Sequence, residues 1–244
     1  MANGEDRQPD QGSSEGGTSS PPGGSEPAPV ARMPAAGGAP PPVVPPSRPV
    51  GGSEYPIGIS VDTPSHIARW RPIVQWILAI PLFIVLYVLR FVLEVLGFIG
   101  WIAALFTGQL PEGIGNFLAG VYRYAWRTYS YALFLRESYP PFAPELGYSD
   151  PGDDPARFDV RRGEGLSRLA VLFRIILVIP QAIVIFFLGI ALYIAAIVGF
   201  FAVLFTGEWP EGLHDFVVGA CRWILRVDAW FFMLADPYPP FALN

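Results

Sequence analysis

Two long apolar runs dominate the pattern of hydrophobic and polar positions along the chain. They extend over residues 73–106 and 169–205, and only a few polar side chains interrupt them. Each run has about 35 residues, which as a single helix would be roughly 50 Å long. The hydrocarbon core of a bilayer is only about 30 Å thick, and a crossing takes about 20 residues. Each run is therefore predicted to enter a membrane, but it is too long for one straight crossing.

Each apolar run leads through a short turn into a second helix, predicted over residues 113–135 and 212–234. The polar positions of the first of these helices advance by four, three, four and three, which keeps them on one helical face. They are Asn116, Gly120, Arg123, Arg127 and Ser130, and the same positions of the second helix hold Asp215, Gly219, Arg222, Arg226 and Ala229. Both helices therefore share a cationic face.

The two halves of this pattern are copies of one another. The sequence Phe-Thr-Gly-x-x-Pro-x-Gly occupies residues 106–113 and 205–212, and Tyr-Pro-Pro-Phe occupies residues 139–142 and 238–241. Repetition at one fixed displacement indicates a tandem duplication. In each turn, glycine is expected to cap one helix and proline to open the next. The turn residues are Thr107, Gly108, Pro111 and Gly113 in the first copy and Thr206, Gly207, Pro210 and Gly212 in the second.

The fold class that follows is all-α integral membrane, with two parallel tandem repeats. A short strand-like segment opens each repeat, at residues 55–62 and 154–161. The N-terminal segment is rich in proline and glycine and has little to bury, so it is expected to be disordered. The predicted boundaries are a tail over 1–54, a first repeat over 55–142, a connector over 143–153 and a second repeat over 154–241.

Composition supports the membrane class and narrows the partners. Apolar residues make up 52% of the chain and charged residues only 15%, a balance typical of membrane proteins. The net charge of −5 gives no reason to expect nucleic acid as a partner. Cys221 is the one cysteine, so an internal disulfide is excluded. The expected partners are membrane lipids and, for an accessory subunit, another membrane protein.

The distribution of charge predicts the sidedness of the chain. Arginines gather at the starts and ends of the repeats, whereas the two turns carry acidic residues. The positive-inside rule therefore places the repeat ends and the N-terminal tail in the cytoplasm, at the cell membrane.

Two arrangements satisfy this sidedness. In the first, Pro81 and Pro180 bend the long helices, and the long and the Arg-striped helices all cross, which gives about four crossings. In the second, each long run folds back as a hairpin, which also gives about four crossings, and the Arg-striped helices lie flat on the cytoplasmic face.

The best functional candidates are the four repeated arginines of the cationic face: Arg123, Arg127, Arg222 and Arg226. An arginine at the centre of a membrane helix costs on the order of 2.5–3.5 kcal/mol, so such residues need anionic partners. Lipid phosphates can serve, and we hypothesise that these four residues bind lipid headgroups or other anions.

Other polar side chains give weaker signals. Arg90 and Glu94 are four residues apart on one helix, a spacing that favours an ion pair, and the second copy lacks both. The sequence shows no spacing typical of metal ligands, catalytic triads or phosphate-binding loops. We therefore expect no metal, no cofactor and no catalytic residue.

The order of these features resembles a known family. Over about residues 55–241 the chain holds six features in a fixed order. They are Tyr-Pro, a strand ending in Val, an Arg-led apolar run with a central Pro, the Phe-Thr-Gly turn, Arg-x-x-x-Arg and Tyr-Pro-Pro-Phe. The chain is similar in this order to the bacterial membrane proteins catalogued as domain of unknown function 4389, which often hold two tandem copies. The resemblance implies an integral membrane protein and implies no known activity.

The function expected from the sequence is that of a non-enzymatic, lipid-interacting scaffold or accessory subunit. The alternative is a small transporter or channel component, in which the arginines line a path for anions or lipid headgroups.

Overall fold

A computed structural model describes residues 55–163 and 165–243, and the predicted tail over 1–54 lies outside the described residues. Within these residues the chain forms four helices and two short strands. In order they are β1 (Ile57–Val61), α1 (Arg71–Thr107), α2 (Glu112–Ala132), β2 (Ala156–Val160), α3 (Arg168–Thr206) and α4 (Glu211–Phe231).

Each long apolar run forms one continuous helix. α1 has 37 residues and α3 has 39, and both continue through the internal prolines Pro81 and Pro180. The hairpin arrangement for these runs is therefore wrong. The glycines that could have allowed a turn are used for packing instead, because Phe232 and Leu110 occupy the space in which Gly97 and Gly100 would carry a side chain.

The Phe-Thr-Gly turns end both long helices in the same way. Gly108 and Gly207 adopt the left-handed conformation, with φ of 74° and 82°. Glycine adopts this conformation without steric cost because it has no side chain, and the left-handed residue ends the helix. The Thr107 and Thr206 hydroxyl groups donate to the carbonyl oxygens four residues earlier, at 2.8 and 2.7 Å.

The two strands pair with each other, although each opens a different copy. β1 and β2 are antiparallel, and Ile59 lies opposite Phe158 at the centre of the pairing. These two residues are 99 positions apart and so are repeat equivalents. A pseudo-two-fold axis therefore passes between them and relates the two copies.

The long helices are also antiparallel, and the end of each lies beside the start of the other. The Ile67 N–H donates to the Gly207 carbonyl oxygen at 2.7 Å, and the Leu166 N–H donates to the Gly108 carbonyl oxygen at 2.9 Å. Between these ends, the rings of Trp76 on α1 and Phe200 on α3 stack with centroids 4.6 Å apart. α1 and α3 therefore lie side by side in one layer.

The shorter helices form a second layer. α2 runs back along α1, since the Gln75 side chain donates to the Arg136 carbonyl oxygen at 2.8 Å and Tyr124 donates to the Leu82 carbonyl oxygen at 3.2 Å. α4 packs on α3 in the equivalent way. The strands pack on the middle of α2 and α4, so the order of layers is the long helices, the shorter helices and the sheet.

The outer face of the long-helix layer is apolar and exposed. Among the described residues, α1 and α3 are the two helices that are long and apolar enough to cross a membrane. α2 and α4 do not meet this criterion, so length and composition support two of the roughly four predicted crossings.

Candidate functional site

The four predicted arginines lie where the shorter helices meet the sheet. Each donates to a backbone carbonyl oxygen of the strand that faces it, and the two copies make the same contacts. The pairs are Arg123 to Phe158 (3.3 Å), Arg127 to Ala156 (3.4 Å), Arg222 to Ile59 (3.1 Å) and Arg226 to Ile57 (3.2 Å).

The partners are exchanged between the copies. α2 of the first copy contacts β2, which opens the second copy, and α4 contacts β1, which opens the first. Phe158 is the repeat equivalent of Ile59, and Ala156 is that of Ile57. Each copy therefore supplies the strand that the other copy's arginines bind.

The spacing of the arginines explains why they fit a strand. Four residues of an α-helix rise about 6 Å, and two residues of a strand advance about 6.8 Å. Arg-x-x-x-Arg on a helix can therefore reach alternate carbonyl groups of one strand. A two-stranded sheet leaves carbonyl groups unpaired along both of its edges. The guanidinium fork, with its five donors, suits these edges.

The connector adds carboxylates to the arginines of the first copy. The Arg123 Nε atom lies 3.0 Å from Asp150, and an Arg127 Nη atom lies 3.0 Å from Glu145. The Asp150 side chain is 1% exposed, and it also accepts a hydrogen bond from the Phe158 N–H at 3.0 Å. This buried ion-pair network ties α2, the connector and β2 together.

A third carboxylate holds the chain just after α2. Arg136 forms a bidentate pair with Asp154, with N–O distances of 2.6 and 2.8 Å. Burial lowers the pKa of Arg136, because a low-dielectric surrounding disfavours the charged form, and Asp154 opposes that effect. Sequence reasoning missed Asp150 and Asp154. Their clustering with Asp153 in a charge-poor chain was the available signal.

Tyr55 adds an aromatic contact to the second copy's arginines. The Arg226 guanidinium lies over the Tyr55 ring, 5.7 Å from its centroid. Burial raises the pKa of Tyr55, because the phenolate is disfavoured away from water, and nearby Arg174 and Arg226 oppose that shift.

The four arginines bind the protein's own backbone in this fold. Arg123, Arg127 and Arg226 are at most 3% exposed. Lipid or anion binding by these residues stays a prediction, and the contacts give them a structural role. A path lined by them would require the sheet to leave the helices.

Arg90 has a partner that sequence reasoning missed. Its guanidinium makes two hydrogen bonds to the Asp228 carboxylate on α4, one of them 2.9 Å long. The predicted partner, Glu94, lies farther away at 3.7 Å. Asp228 gave no signal in the repeat pattern because its equivalent in the first copy is Tyr129. The pair therefore links the two copies at one side of the pseudo-two-fold axis.

Comparison with known families gives one match. The family model described as domain of unknown function (DUF4389) matches residues 69–143 and 168–242. These two ranges cover α1 with α2 and α3 with α4. No curated protein and no solved structure matches the chain.

Replacing Arg123 with Gln is expected to destabilise the fold strongly. The change removes the closer partner of the buried Asp150 carboxylate, which keeps only the longer 3.4 Å contact to Arg127, and it leaves several carbonyl groups without a donor. Breaking a buried ion pair in this way costs on the order of 3–5 kcal/mol. Thermal unfolding in detergent, followed by circular dichroism, measures the effect. Arg162→Gln is the matched control, because Arg162 is half exposed and pairs loosely with Glu112. Equal melting temperatures for the two variants would contradict the structural role.

Proposed function

Because the chain belongs to the DUF4389 family, with two tandem copies of its domain, and exposes an apolar layer, we propose that it is a non-enzymatic membrane protein. It acts as a lipid-interacting scaffold or accessory subunit. The lipid-binding surface is the outer face of α1 and α3.

The observation that carries this proposal is how little of the long helices is buried. Only 22% of the residues in the most apolar stretch of α1, and 6% of those in the most apolar stretch of α3, are buried. The core helix of a water-soluble protein with this composition would be mostly buried. Large exposed apolar patches mark interaction surfaces, and a layer of two whole helices suits lipid.

The antiparallel arrangement favours one orientation of this layer relative to the bilayer. If α1 and α3 crossed the membrane, their starts would lie on opposite sides, although both follow directly from the paired strands. The sheet and the buried Asp150 network would then lie at mid-depth, where polar backbone and charge are most costly. We infer instead that both helices lie along the membrane plane, in one leaflet.

An in-plane orientation is also compatible with the length of α1 and α3. A helix of 37 residues is about 55 Å long, far more than the roughly 30 Å hydrocarbon thickness. An in-plane helix has no such limit, and its apolar face enters the boundary between headgroups and acyl chains. The repeat starts hold Arg69, Arg71, Arg162 and Arg168, which suit phosphate headgroups at both ends of the layer. The positive-inside bias favours the cytoplasmic leaflet.

Charges placed on the apolar face are expected to release the protein from membranes. The double variant Ile183→Asp/Phe187→Asp changes two exposed residues of α3. Each aspartate would be charged among acyl chains, so more protein should appear in the soluble fraction after an alkaline carbonate wash. The matched control is Ala143→Asp/Ser149→Asp, which adds the same charge to exposed connector residues. Wild-type protein that is soluble without detergent would contradict the proposal.

Single cysteines at the two turns are expected to report the same side of the membrane. Gln109 and Glu208 are exposed, and each would be replaced by cysteine in a Cys221→Ser background. A membrane-impermeant thiol reagent should label both under the same condition, together with Ser149→Cys in the connector. With crossing helices, the two turns would lie on opposite sides, and one would be labelled in intact cells and the other only after lysis. That outcome would restore the transporter alternative.

A further inference from the structure

Two grooves between α1 and α3 are related by the pseudo-two-fold axis. Groove A lies between Trp76 and Phe83 on α1 and Tyr193 on α3, and has a volume of about 660 Å³. Groove B lies between Glu94 on α1 and Ile175 on α3, and has a volume of about 260 Å³. The equivalents of Glu94 and Ile175 are Tyr193 and Trp76, so the two grooves occupy the same place in the two halves.

The difference in volume has a specific origin. Beside groove B, Arg90 pairs with Asp228, and Phe232 packs against Gly97. The corresponding residues at groove A are Gly189, Tyr129 and Leu133, of which Gly189 has no side chain. A Cβ atom built on Gly189 would meet nothing within 4 Å. Groove A is therefore open at the point where an ion pair closes its counterpart.

The lining of groove A selects for an apolar occupant. Its floor is formed by buried residues such as Ala79 and Cys221. Its rim is formed by exposed aromatic side chains, including Trp76, Phe83 and Tyr193. The lining holds no acidic or basic side chain. The rim is continuous with the outer apolar face of α1 and α3, so the groove opens toward the surface that the proposed function places in lipid.

We propose that groove A binds one acyl chain of a membrane lipid. This inference rests on the proposed function, since the leaflet supplies the chain. The volume falls within the range of roughly 300–1,000 Å³ that ligand pockets have, and the lining is mostly apolar, as such pockets are. Groove B is too small to hold a chain in the same way, so the two copies have diverged at this site.

Photo-crosslinking with a lipid that carries a diazirine on its acyl chain tests the proposal. The full-length protein would be reconstituted in phosphatidylcholine and phosphatidylglycerol vesicles containing this probe, and labelled peptides would be mapped by mass spectrometry. The wild type should be labelled on the groove floor, around Cys221, and on the outer face, around Phe187.

Two variants close groove A by different means. Gly189→Trp fills the open space directly. Gly189→Arg/Tyr129→Asp introduces the ion pair that is already present beside groove B. This variant should therefore fold even if Gly189→Trp does not. Either variant should lower labelling at the floor by about tenfold, equivalent to about 1.4 kcal/mol, and leave the outer face labelled. Ala182→Trp, on the exposed face of α3, is the matched control and should leave floor labelling unchanged.

The outcomes separate this inference from the proposed function. Labelling of the outer face with none at the floor, or floor labelling that both variants leave unchanged, would overturn the acyl-chain site while the membrane location stands. Protein that is labelled on neither surface and does not associate with the vesicles would overturn the proposed function, and the inference with it.

Discussion

The fold depends on hydrogen bonds from paired arginines to the carbonyl groups of the strands. Two short strands are barely stable alone, because a two-stranded sheet buries little and leaves its edges unpaired. Arg123 and Arg127 bind one edge, and Arg222 and Arg226 bind the other. The sheet in turn holds the starts of both copies at the middle of the molecule, and this position determines where every helix can lie.

Exchange of the strands makes the two copies one unit. Because each copy binds the strand of the other, and each long helix ends against the start of the other, neither copy completes its own packing. The duplication has nevertheless allowed divergence. The first copy gains the connector carboxylates, and the Arg90–Asp228 pair occupies only one of two equivalent positions. Positions that differ between the copies are therefore the better candidates for a function, whereas the shared positions stabilise the fold.

The repeat pattern predicted much of this architecture and little of its tertiary arrangement. Periodicity and the turn motifs indicated both helix pairs, and the alternation over residues 55–62 indicated β1. The sequence also grouped the four arginines on equivalent faces.

The sequence could not show that these arginines bind strands, because Arg-x-x-x-Arg in an apolar helix suits a phosphate as well as a carbonyl group. Nor could it show that the strands pair across the duplication, since five residues carry too little pattern to specify a partner. The length and apolarity of the long runs led to the prediction of crossings, but they could not show that the two long helices lie antiparallel in one layer.

Polarised infrared spectroscopy of oriented bilayers distinguishes a helical layer that lies along the membrane plane, as we propose, from helices that cross the membrane. The transition moment of the helical amide I band lies close to the helix axis, and the layered packing makes all four helices contribute in one general direction. For a layer that lies in the membrane plane, we expect amide I absorption polarised in the plane of the bilayer. Absorption polarised along the bilayer normal would mean that the long helices cross the membrane and that the proposed in-plane orientation is wrong.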